Sequence, residues 1–301
     1  MPRPGNAASC SKSSSRRDRK TPAYPVDVPE LPEVETIRTR LEPVLVGRRI
    51  ERVGILDPRL TRPLEPAAVA VGLEGERVTA LERRGKYLIV RFESGRSLLI
   101  HLRMTGTLLH GGNGSWPHDP YRRAVVRLDN ESDVVYRDVR RFGTWLVLER
   151  GELDAYLSAR LGAEPLARAF SAAVLGARLG GRRKPIKAAL LDQRTIAGVG
   201  NIYADEALCQ AKIDPRRAAG SLRPEEVRAL HRGLRAALAA GVARAGATLR
   251  DYRTPSGEPG AMQREFKVYG REGEPCLRCG TPIEKIRAAG RGTWFCPRCQ
   301  R

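Results

Sequence analysis

Four cysteines near the end of the chain have the spacing of a metal site. Cys276 and Cys279 form one C-x2-C pair, Cys296 and Cys299 form a second, and sixteen residues separate the two pairs. Thiolates grouped in this way bind zinc, and the metal stabilises a segment that is too short to build a core of its own. The pattern therefore predicts one zinc ion with a structural rather than a catalytic role.

The charge of the chain indicates a polyanionic partner. The 301 residues include 54 Lys and Arg against 34 Asp and Glu, which gives a formal net charge of +20. This excess predicts nucleic-acid binding, although a generally basic protein with an Arg-rich composition would show it too. No apolar run is long enough for a membrane helix. Cys10 and Cys209 stand alone, and so few cysteines favour a metal site and a reducing cytoplasm over a disulfide framework.

Composition and periodicity divide the chain into segments and predict an α+β multidomain protein. Residues 1–27 are basic and polar, and they indicate a disordered or artefactual extension. Residues 28–152 begin with a helical pattern and continue as short strands separated by polar turns, which predicts a β-sandwich. Residues 160–260 are helical and residues 262–301 form the zinc module. The strand-like runs are Tyr87–Phe92, Ser97–Leu102, Ala124–Leu128, Val134–Arg137 and Thr144–Leu148, and the clearest helix is Pro224–Ala245.

Five motifs follow one another along the chain, and the cysteine module completes the set. They are Val28–Thr36, His101–Gly106, Asp138–Gly143, Gly198–Ala204 and Val268–Arg271. In this order they resemble the motifs of the formamidopyrimidine-DNA glycosylases, over roughly residues 28–301. The resemblance implies an N-terminal β-sandwich catalytic domain, a helix–two-turn–helix DNA-binding domain and a C-terminal zinc-finger β-hairpin. It also implies a monomer that binds double-stranded DNA in the bacterial cytoplasm, at the nucleoid.

The resemblance implies a bifunctional enzyme of base excision repair. Such an enzyme removes 8-oxoguanine and formamidopyrimidines through a Schiff base and then cuts the strand by β,δ-elimination. Pro29 supplies the nucleophilic amine, because an N-terminal proline is a secondary amine that is partly unprotonated near neutral pH. Glu30 acts as general acid and base on the sugar. Glu33 orients the amine, and Glu206 is expected as a second carboxylate near it.

The same resemblance implies four contacts with the phosphates that flank the extruded nucleotide. Lys86 and Arg291 are expected in the catalytic set, and Lys187 and Asn201 in the DNA-binding set. From residue type alone, Lys86 could equally be a solvated lysine at a strand end. Asn201 could equally be a turn residue after two glycines.

Flipping a nucleotide leaves a gap in the base stack, and the resemblance assigns three residues to it. Met104 and Phe142 form an apolar wedge, and Arg140 contacts the cytosine left without its partner. By type alone, Met and Phe more often belong to a core. The family pattern usually has a small residue where Arg103 stands, and this arginine adds a possible phosphate contact. Substrate choice is expected from residues 247–269, which include Gly257, Gly260 and Arg264, while Leu31 favours the purine-specific branch.

The proposed chemistry conflicts with the first 28 residues. In the chain as written, Pro29 is bonded to Val28, so its nitrogen is an amide without a nucleophilic lone pair. We expect synthesis to begin at Val28, read as an initiator Met that is then removed, with residues 1–27 absent from the native protein. Two alternatives stay open at this point: a protein that binds lesions without cutting, and an endonuclease VIII-like enzyme that removes oxidised pyrimidines.

Overall fold

A computed structural model of the chain describes residues 29–301. The predictions for residues 1–27, for Cys10 and for a start at Val28 lie outside the described residues. Within the part that is described, no helix combines the length and apolar character that a membrane crossing requires.

The N-terminal part is the expected β-sandwich, so this prediction is confirmed. Its elements are α1 (Leu31–Leu45), β1 (Ile50–Ile55), α2 (Pro66–Leu73), β2 (Val78–Arg84), β3 (Tyr87–Phe92), β4 (Ser97–His101), β5 (Gly106–Gly111), β6 (Arg122–Leu128), β7 (Asp133–Asp138) and β8 (Thr144–Leu148). The strands form two antiparallel four-stranded sheets with the strand orders β1-β6-β7-β5 and β2-β3-β4-β8. The facing side chains of the sheets form one core, and helix α1 adds Val34, Ile37 and Leu41 to it.

Three strands of the sandwich carry weak sequence signals, and the sequence-based prediction did not include them. β1 contains two charged residues, β2 ends with three, and β5 begins and ends with glycine. Backbone hydrogen bonds to a neighbouring strand stabilise each of these segments: β1 pairs with β6, β2 with β3 and β5 with β7. The five strands that were predicted are the ones with the most continuous apolar character.

The second part of the chain is helical, as expected. The longest helix runs from Pro224 to Ala243, two residues short of the predicted end at Ala245. The remaining elements are α3 (Glu152–Ser158), α4 (Ala172–Leu179), α5 (Ile186–Leu191), α6 (Asn201–Ala211), α7 (Pro224–Ala243), β9 (Glu284–Ala288) and β10 (Arg291–Phe295). The longest helix, α7, packs against α6, and both contribute to a core that also includes Trp294 of the zinc hairpin. The predicted limits of the domains stay predictions.

The sandwich core gives a direct test of this packing. Leu128 is 0% exposed between the sheets, whereas Leu56 is 54% exposed. We expect Leu128→Ala to lower the free energy of unfolding by about 2–5 kcal/mol, because it removes buried methyl groups and leaves a cavity. Leu56→Ala is the matched control and should change stability by about 0.5 kcal/mol or less. Urea unfolding of both variants measures the difference, and equal losses would contradict the assigned core.

Candidate active site

A cavity of about 600 Å³ opens where the sandwich, the helical part and the zinc hairpin meet. Its size suits a ligand such as an extruded nucleotide. Six of the predicted site residues line it together, namely Glu30, Lys86, Met104, Phe142, Asn201 and Arg291. The other residues that line it are His101, Arg103, Leu191, Gln193, Val199 and Gly200. Of these, Arg103 had an expected contact with phosphate.

Glu30 joins the sandwich to the helical part. Its side chain is buried, and its carboxylate accepts hydrogen bonds from the backbone N–H groups of Gly200 at 2.8 Å, Ile202 at 2.9 Å and Tyr203 at 3.4 Å. These groups form the N-terminus of α6, where unpaired N–H donors and the helix dipole favour a negative charge. Burial raises the pKa of Glu30, and the positive charge of Lys86 and the three amides partly offset that rise.

Two glycines make this approach possible. Gly198 has φ +87°, and its carbonyl accepts a hydrogen bond from the N–H of Leu31 at 3.0 Å. A Cβ on Gly200 would lie 2.3 Å from the Glu30 carboxyl carbon and 2.6 Å from Nζ of Lys86. A side chain at position 200 would displace these two groups, and a Cβ on Gly198 would lie 2.7 Å from the Leu31 side chain. Gln193 fixes this glycine turn, since its side chain accepts from the Gly198 N–H and donates to the Val199 carbonyl, both at 2.8 Å.

Glu33 holds the backbone of Glu30 in place. Its carboxylate accepts from the N–H of Glu30, the hydroxyl of Tyr203 and the N–H of Ala247, each at 2.8 Å. Burial, and then the nearby charge of Glu30, raise the pKa of Glu33 to about 7. Glu33 is absent from the cavity wall, so its position fits the supporting role that was predicted for it, which stays a prediction.

Lys86 reaches the cavity from the hairpin that joins β2 and β3. Gly85 has φ +59° in this turn, and its N–H donates to the Glu164 carboxylate at 2.9 Å. Arg83 and Arg84 donate to the same carboxylate, which ties the hairpin to the segment after α3. Burial lowers the pKa of the Lys86 ammonium group, and Glu30 and Glu33 oppose that effect.

Lys187 does not line the cavity, and its predicted contact with phosphate stays a prediction. It is 0% exposed, and its ammonium group contacts Asp205 at 2.7 Å, the hydroxyl of Thr293 at 2.7 Å and the carbonyl of Gly292 at 3.1 Å. These three partners use all three N–H donors of a lysine. Asn201 also donates to the Gly292 carbonyl, at 3.1 Å. Lys187 therefore anchors the start of β10, where Arg291 projects into the cavity.

Glu206 lies on α6 and does not line the cavity, and its expected place near the amine stays a prediction. Its buried carboxylate accepts from the backbone N–H groups of Lys267, Val268 and Tyr269, all at about 3.0 Å. Burial raises the pKa of Glu206, and these amides oppose that effect. The carboxylate thus holds the segment that enters the zinc hairpin.

Met104 and Phe142 lie on the same rim of the cavity, on the turn between β4 and β5 and on the loop between β7 and β8. Phe142 is 50% exposed, although it is large and apolar. The Arg140 guanidinium lies 4.9 Å from the centroid of its ring, and Arg140 itself does not line the cavity. An exposed aromatic ring held against a cation suits insertion between bases.

His101 and Arg103 lie side by side in the cavity wall, and His101 had no predicted role. The Arg103 N–H donates to Nδ1 of His101 at 3.0 Å, which leaves Nε2 as the position that carries hydrogen in the neutral ring. Burial lowers the pKa of His101 to about 3. Arg103 has φ +54°, a backbone conformation that non-glycine residues rarely adopt. In the sequence, the position of His101 at the start of the motif His101–Gly106 could have indicated a place in the site.

Pro29 is buried and directly precedes Glu30, but its ring is not part of the cavity wall. Residues 247–269 also contribute nothing to the wall. Instead, this segment contacts the sandwich: the N–H of His110 donates to the Pro255 carbonyl at 2.8 Å, and Thr107 donates to the Arg253 carbonyl at 2.6 Å. The roles of Gly257, Gly260 and Arg264 in substrate choice stay predictions.

The four cysteines predicted to bind zinc converge. Their sulfur atoms all lie within 4.8 Å of one another, and Sγ of Cys279 is 3.5 Å from Sγ of Cys296. Tetrahedral coordination with Zn–S bonds of about 2.3 Å would place the sulfurs about 3.8 Å apart. The donor set and its geometry fit one structural zinc ion, with no open position for a substrate.

Removal of one zinc ligand tests the link between the metal and DNA. Cys279→Ser should lose the zinc ion and weaken binding to duplex DNA about tenfold or more, because the hairpin that presents Arg291 loses its support. Cys209→Ser is the matched control, since Cys209 is outside the cluster. Zinc content by native mass spectrometry and affinity by fluorescence anisotropy measure both effects. Full DNA affinity in the zinc-free variant would contradict the prediction.

The low pKa of His101 predicts a pH effect on stability. Between pH 6.5 and pH 3 the unfolded state binds a proton at this position and the folded state does not, so stability falls as the pH is lowered through that window. His101→Gln removes the titrating group and should show a smaller loss of Tm between pH 7 and pH 4. Differential scanning calorimetry at matched ionic strength measures this. An unchanged pH dependence would show that His101 is not the group responsible.

Comparison with known proteins gives a consistent result over nearly the whole described chain. Residues 28–145 match the formamidopyrimidine-DNA glycosylase N-terminal domain family, and residues 161–253 match the formamidopyrimidine-DNA glycosylase H2TH domain family. Residues 273–301 match the zinc finger found in FPG and IleRS. The chain is 48% identical over 277 residues to the formamidopyrimidine-DNA glycosylase of Geobacillus kaustophilus, an alignment that covers 91% of this chain and all of that protein.

Solved structures agree with these matches. The chain is similar to the MutM (Fpg) protein of Thermus thermophilus, with 44% identity, a TM-score of 0.80 and coverage of 90% of this chain and 98% of that one. It is also similar to Lactococcus lactis Fpg in complex with DNA that contains an abasic site, with 36% identity, a TM-score of 0.84 and coverage of 90% and 99%. The chain belongs to the formamidopyrimidine-DNA glycosylase family.

Proposed function

We propose that this DNA glycosylase of base excision repair removes oxidised purines from double-stranded DNA through a Schiff base at Pro29. The same adduct then allows the protein to cut the strand by β- and δ-elimination. One observation carries the proposal: the buried Glu30 carboxylate, next to Pro29 in the chain, lines the cavity from the N-terminus of α6. Similar structures that contain Fapy-dG DNA and abasic-site DNA support both the substrate and the product.

The reaction balances with the groups that the chain supplies. The lone pair of the Pro29 amine forms a bond to C1′ of the sugar, the bond from C1′ to the base breaks, and the base leaves with a proton. Opening of the sugar ring then gives an iminium ion, which acidifies the C2′ proton. Loss of that proton expels the 3′ phosphate, and a second elimination expels the 5′ phosphate. Water releases the remaining sugar fragment from Pro29.

Glu30 is suited to protonate the sugar oxygen as the ring opens. Its raised pKa means that the carboxyl group keeps its proton at a higher pH than an exposed glutamate does. The amides at the N-terminus of α6 then stabilise the carboxylate after the proton has left. Glu33, with a pKa of about 7, provides a second buried acid that contacts the Glu30 N–H.

Three polar side chains around the cavity are suited to the negatively charged phosphates of a DNA strand. Lys86 and Arg291 bring positive charge to the rim, and Asn201 contributes an amide. Phosphate groups on either side of the flipped nucleotide are the natural partners for these groups. Met104 and Phe142 enter the space that the nucleotide leaves, and Arg140 contacts the opposite cytosine. We expect a monomer that acts on chromosomal DNA in the bacterial cytoplasm.

The mechanism requires that the active form begins at Pro29, because only a free amine has the lone pair that attacks C1′. The alignment with the Geobacillus kaustophilus protein supports this requirement, since all of that protein corresponds to 91% of this chain. The match to the N-terminal domain family likewise begins at residue 28.

Lys86 is a rival nucleophile within the same cavity. Its amine lies close to Gly200 and Glu30, and its lowered pKa leaves a larger unprotonated fraction than a solvated lysine has. A Schiff base on Lys86 would need no processing of the N-terminus. The proximity of Pro29 to Glu30 in the chain favours proline, and the position of the covalent bond decides between them.

Two forms of the protein that differ by one residue test the proposal. A chain that begins at Pro29 should form a covalent adduct with an 8-oxoguanine duplex in the presence of borohydride. A chain that keeps Val28 ahead of Pro29 should bind the duplex with similar affinity and form at least about 100-fold less adduct, because its proline nitrogen is an amide. Equal trapping by both forms would contradict the role of Pro29. Binding without any trapping would favour a protein that only shields lesions.

Substrate preference needs a separate assay. Release of 8-oxoguanine opposite cytosine should exceed release of thymine glycol under single-turnover conditions. The reverse preference would support the endonuclease VIII-like alternative.

A further inference from the structure

We infer that Asp138 is a positioning residue that joins the Met104 turn to the Arg140–Phe142 loop, so that the two apolar side chains enter DNA as one rigid wedge. The inference rests on the proposed function, because it assumes that Met104 and Phe142 fill the vacated position. Asp138 was part of a sequence motif but had no assigned role. It is buried, with 1% of its surface exposed, at the end of β7.

The hydrogen bonds of Asp138 connect both loops. One carboxylate oxygen accepts from the hydroxyl of Thr105, next to Met104, and from the N–H of Arg140 at 3.2 Å. The other oxygen accepts from the N–H of Gly143, next to Phe142, at 2.8 Å. The Arg140 N–H also donates to the Thr105 hydroxyl at 2.9 Å. One buried carboxylate thus fixes a neighbour of each wedge residue.

The packing around this carboxylate leaves little freedom. The Tyr136 hydroxyl lies between the same two loops, where a Cβ on Gly106 would come within 2.4 Å of it and a Cβ on Gly143 within 1.7 Å. Both glycines are therefore required for the loops to approach each other across Tyr136. Loops that are packed this closely around a shared carboxylate move together rather than separately.

A second carboxylate braces the outer side of the Phe142 loop. Asp57 is 3% exposed, and the Arg141 guanidinium donates to both of its oxygens, at 2.5 and 2.9 Å. Arg141 has φ +61°, a backbone conformation that non-glycine residues rarely adopt without support from their surroundings. This brace holds Arg141 while its neighbours Arg140 and Phe142 stay exposed to DNA.

The physical consequence concerns insertion into the base stack. A wedge that must order two independent loops on binding loses part of its interaction energy as conformational entropy, whereas a preassembled wedge does not. Without the Asp138 link, the donors of Thr105, Arg140 and Gly143 lose a buried acceptor. Met104, Phe142 and the cytosine-contacting Arg140 would then be fixed less firmly relative to one another.

The experiment uses the full chain and a duplex with a tetrahydrofuran abasic-site analogue. This analogue has no C1′ oxygen and cannot form a Schiff base, so the result is independent of Pro29. A 2-aminopurine beside the site reports unstacking by the wedge as a rise in fluorescence. Affinity is measured with cytosine and with adenine opposite the analogue, which reports the contact of Arg140.

Four variants separate positioning from folding. Asp138→Asn replaces the acceptor of the Gly143 N–H, and Thr105→Val removes only the hydroxyl that joins the two loops. Thr105→Ser restores that hydroxyl. Asp133→Asn is the matched control, because Asp133 is a buried carboxylate at the other end of β7 that pairs with Arg127 instead of the wedge loops.

We expect Asp138→Asn and Thr105→Val to lose more than half of the fluorescence rise and to reduce the preference for cytosine about tenfold. Thr105→Ser and Asp133→Asn should keep both. If Asp138→Asn fails to fold, Thr105→Val decides. Wild-type behaviour of Thr105→Val, or an equal loss in Asp133→Asn, would overturn the inference. Failure of borohydride trapping at Pro29 would instead overturn the proposed chemistry and leave this result intact.

Discussion

The contact between the Glu30 carboxylate and the N-terminus of α6 is the constraint on which the site depends. Three backbone N–H groups of the helical part hold a side chain that belongs to the sandwich. The contact therefore sets the relation between the two parts of the molecule and, at the same time, places an acid at the cavity. This contact requires Gly200, because a Cβ there would lie 2.3 Å from the Glu30 carboxyl carbon, whereas Gly198 is required by the nearby side chain of Leu31.

Buried acids extend this arrangement through the molecule. Glu33 connects the Glu30 N–H with Tyr203 and with Ala247, and Asp205 pairs with Lys187 beneath the zinc hairpin. A buried charge is costly unless donors surround it, so each carboxylate fixes the backbone or side-chain groups that satisfy it. These buried acids thus hold the elements around the cavity, and Lys86 and Arg291 line it.

The sequence predicted those features that depend on local spacing. The zinc ligands occur as two tight pairs, and the strands from Tyr87 and from Thr144 show continuous apolar character, so both could be identified without a structure. The family resemblance also pointed to six residues of the cavity wall. The longest helix was predicted to within two residues of its end.

The sequence did not predict the partners that are distant in the chain. Lys187 pairs with Asp205 and Thr293, and Glu206 accepts hydrogen bonds from the backbone near Val268. Spacing does not report such pairs, since each depends on how the elements pack in three dimensions. For the same reason, the hydrogen bond from the Thr105 hydroxyl to Asp138 was not predicted, although both residues lie within recognised motifs.

The proposed mechanism requires a covalent bond between the sugar and the nitrogen of Pro29 rather than the amine of Lys86. Peptide mapping of the borohydride-reduced adduct by tandem mass spectrometry distinguishes the two. We expect the sugar fragment on the nitrogen of a peptide that begins with Pro29. Attachment to the side chain of Lys86, or to a peptide in which Val28 still precedes Pro29, would contradict the proposed mechanism.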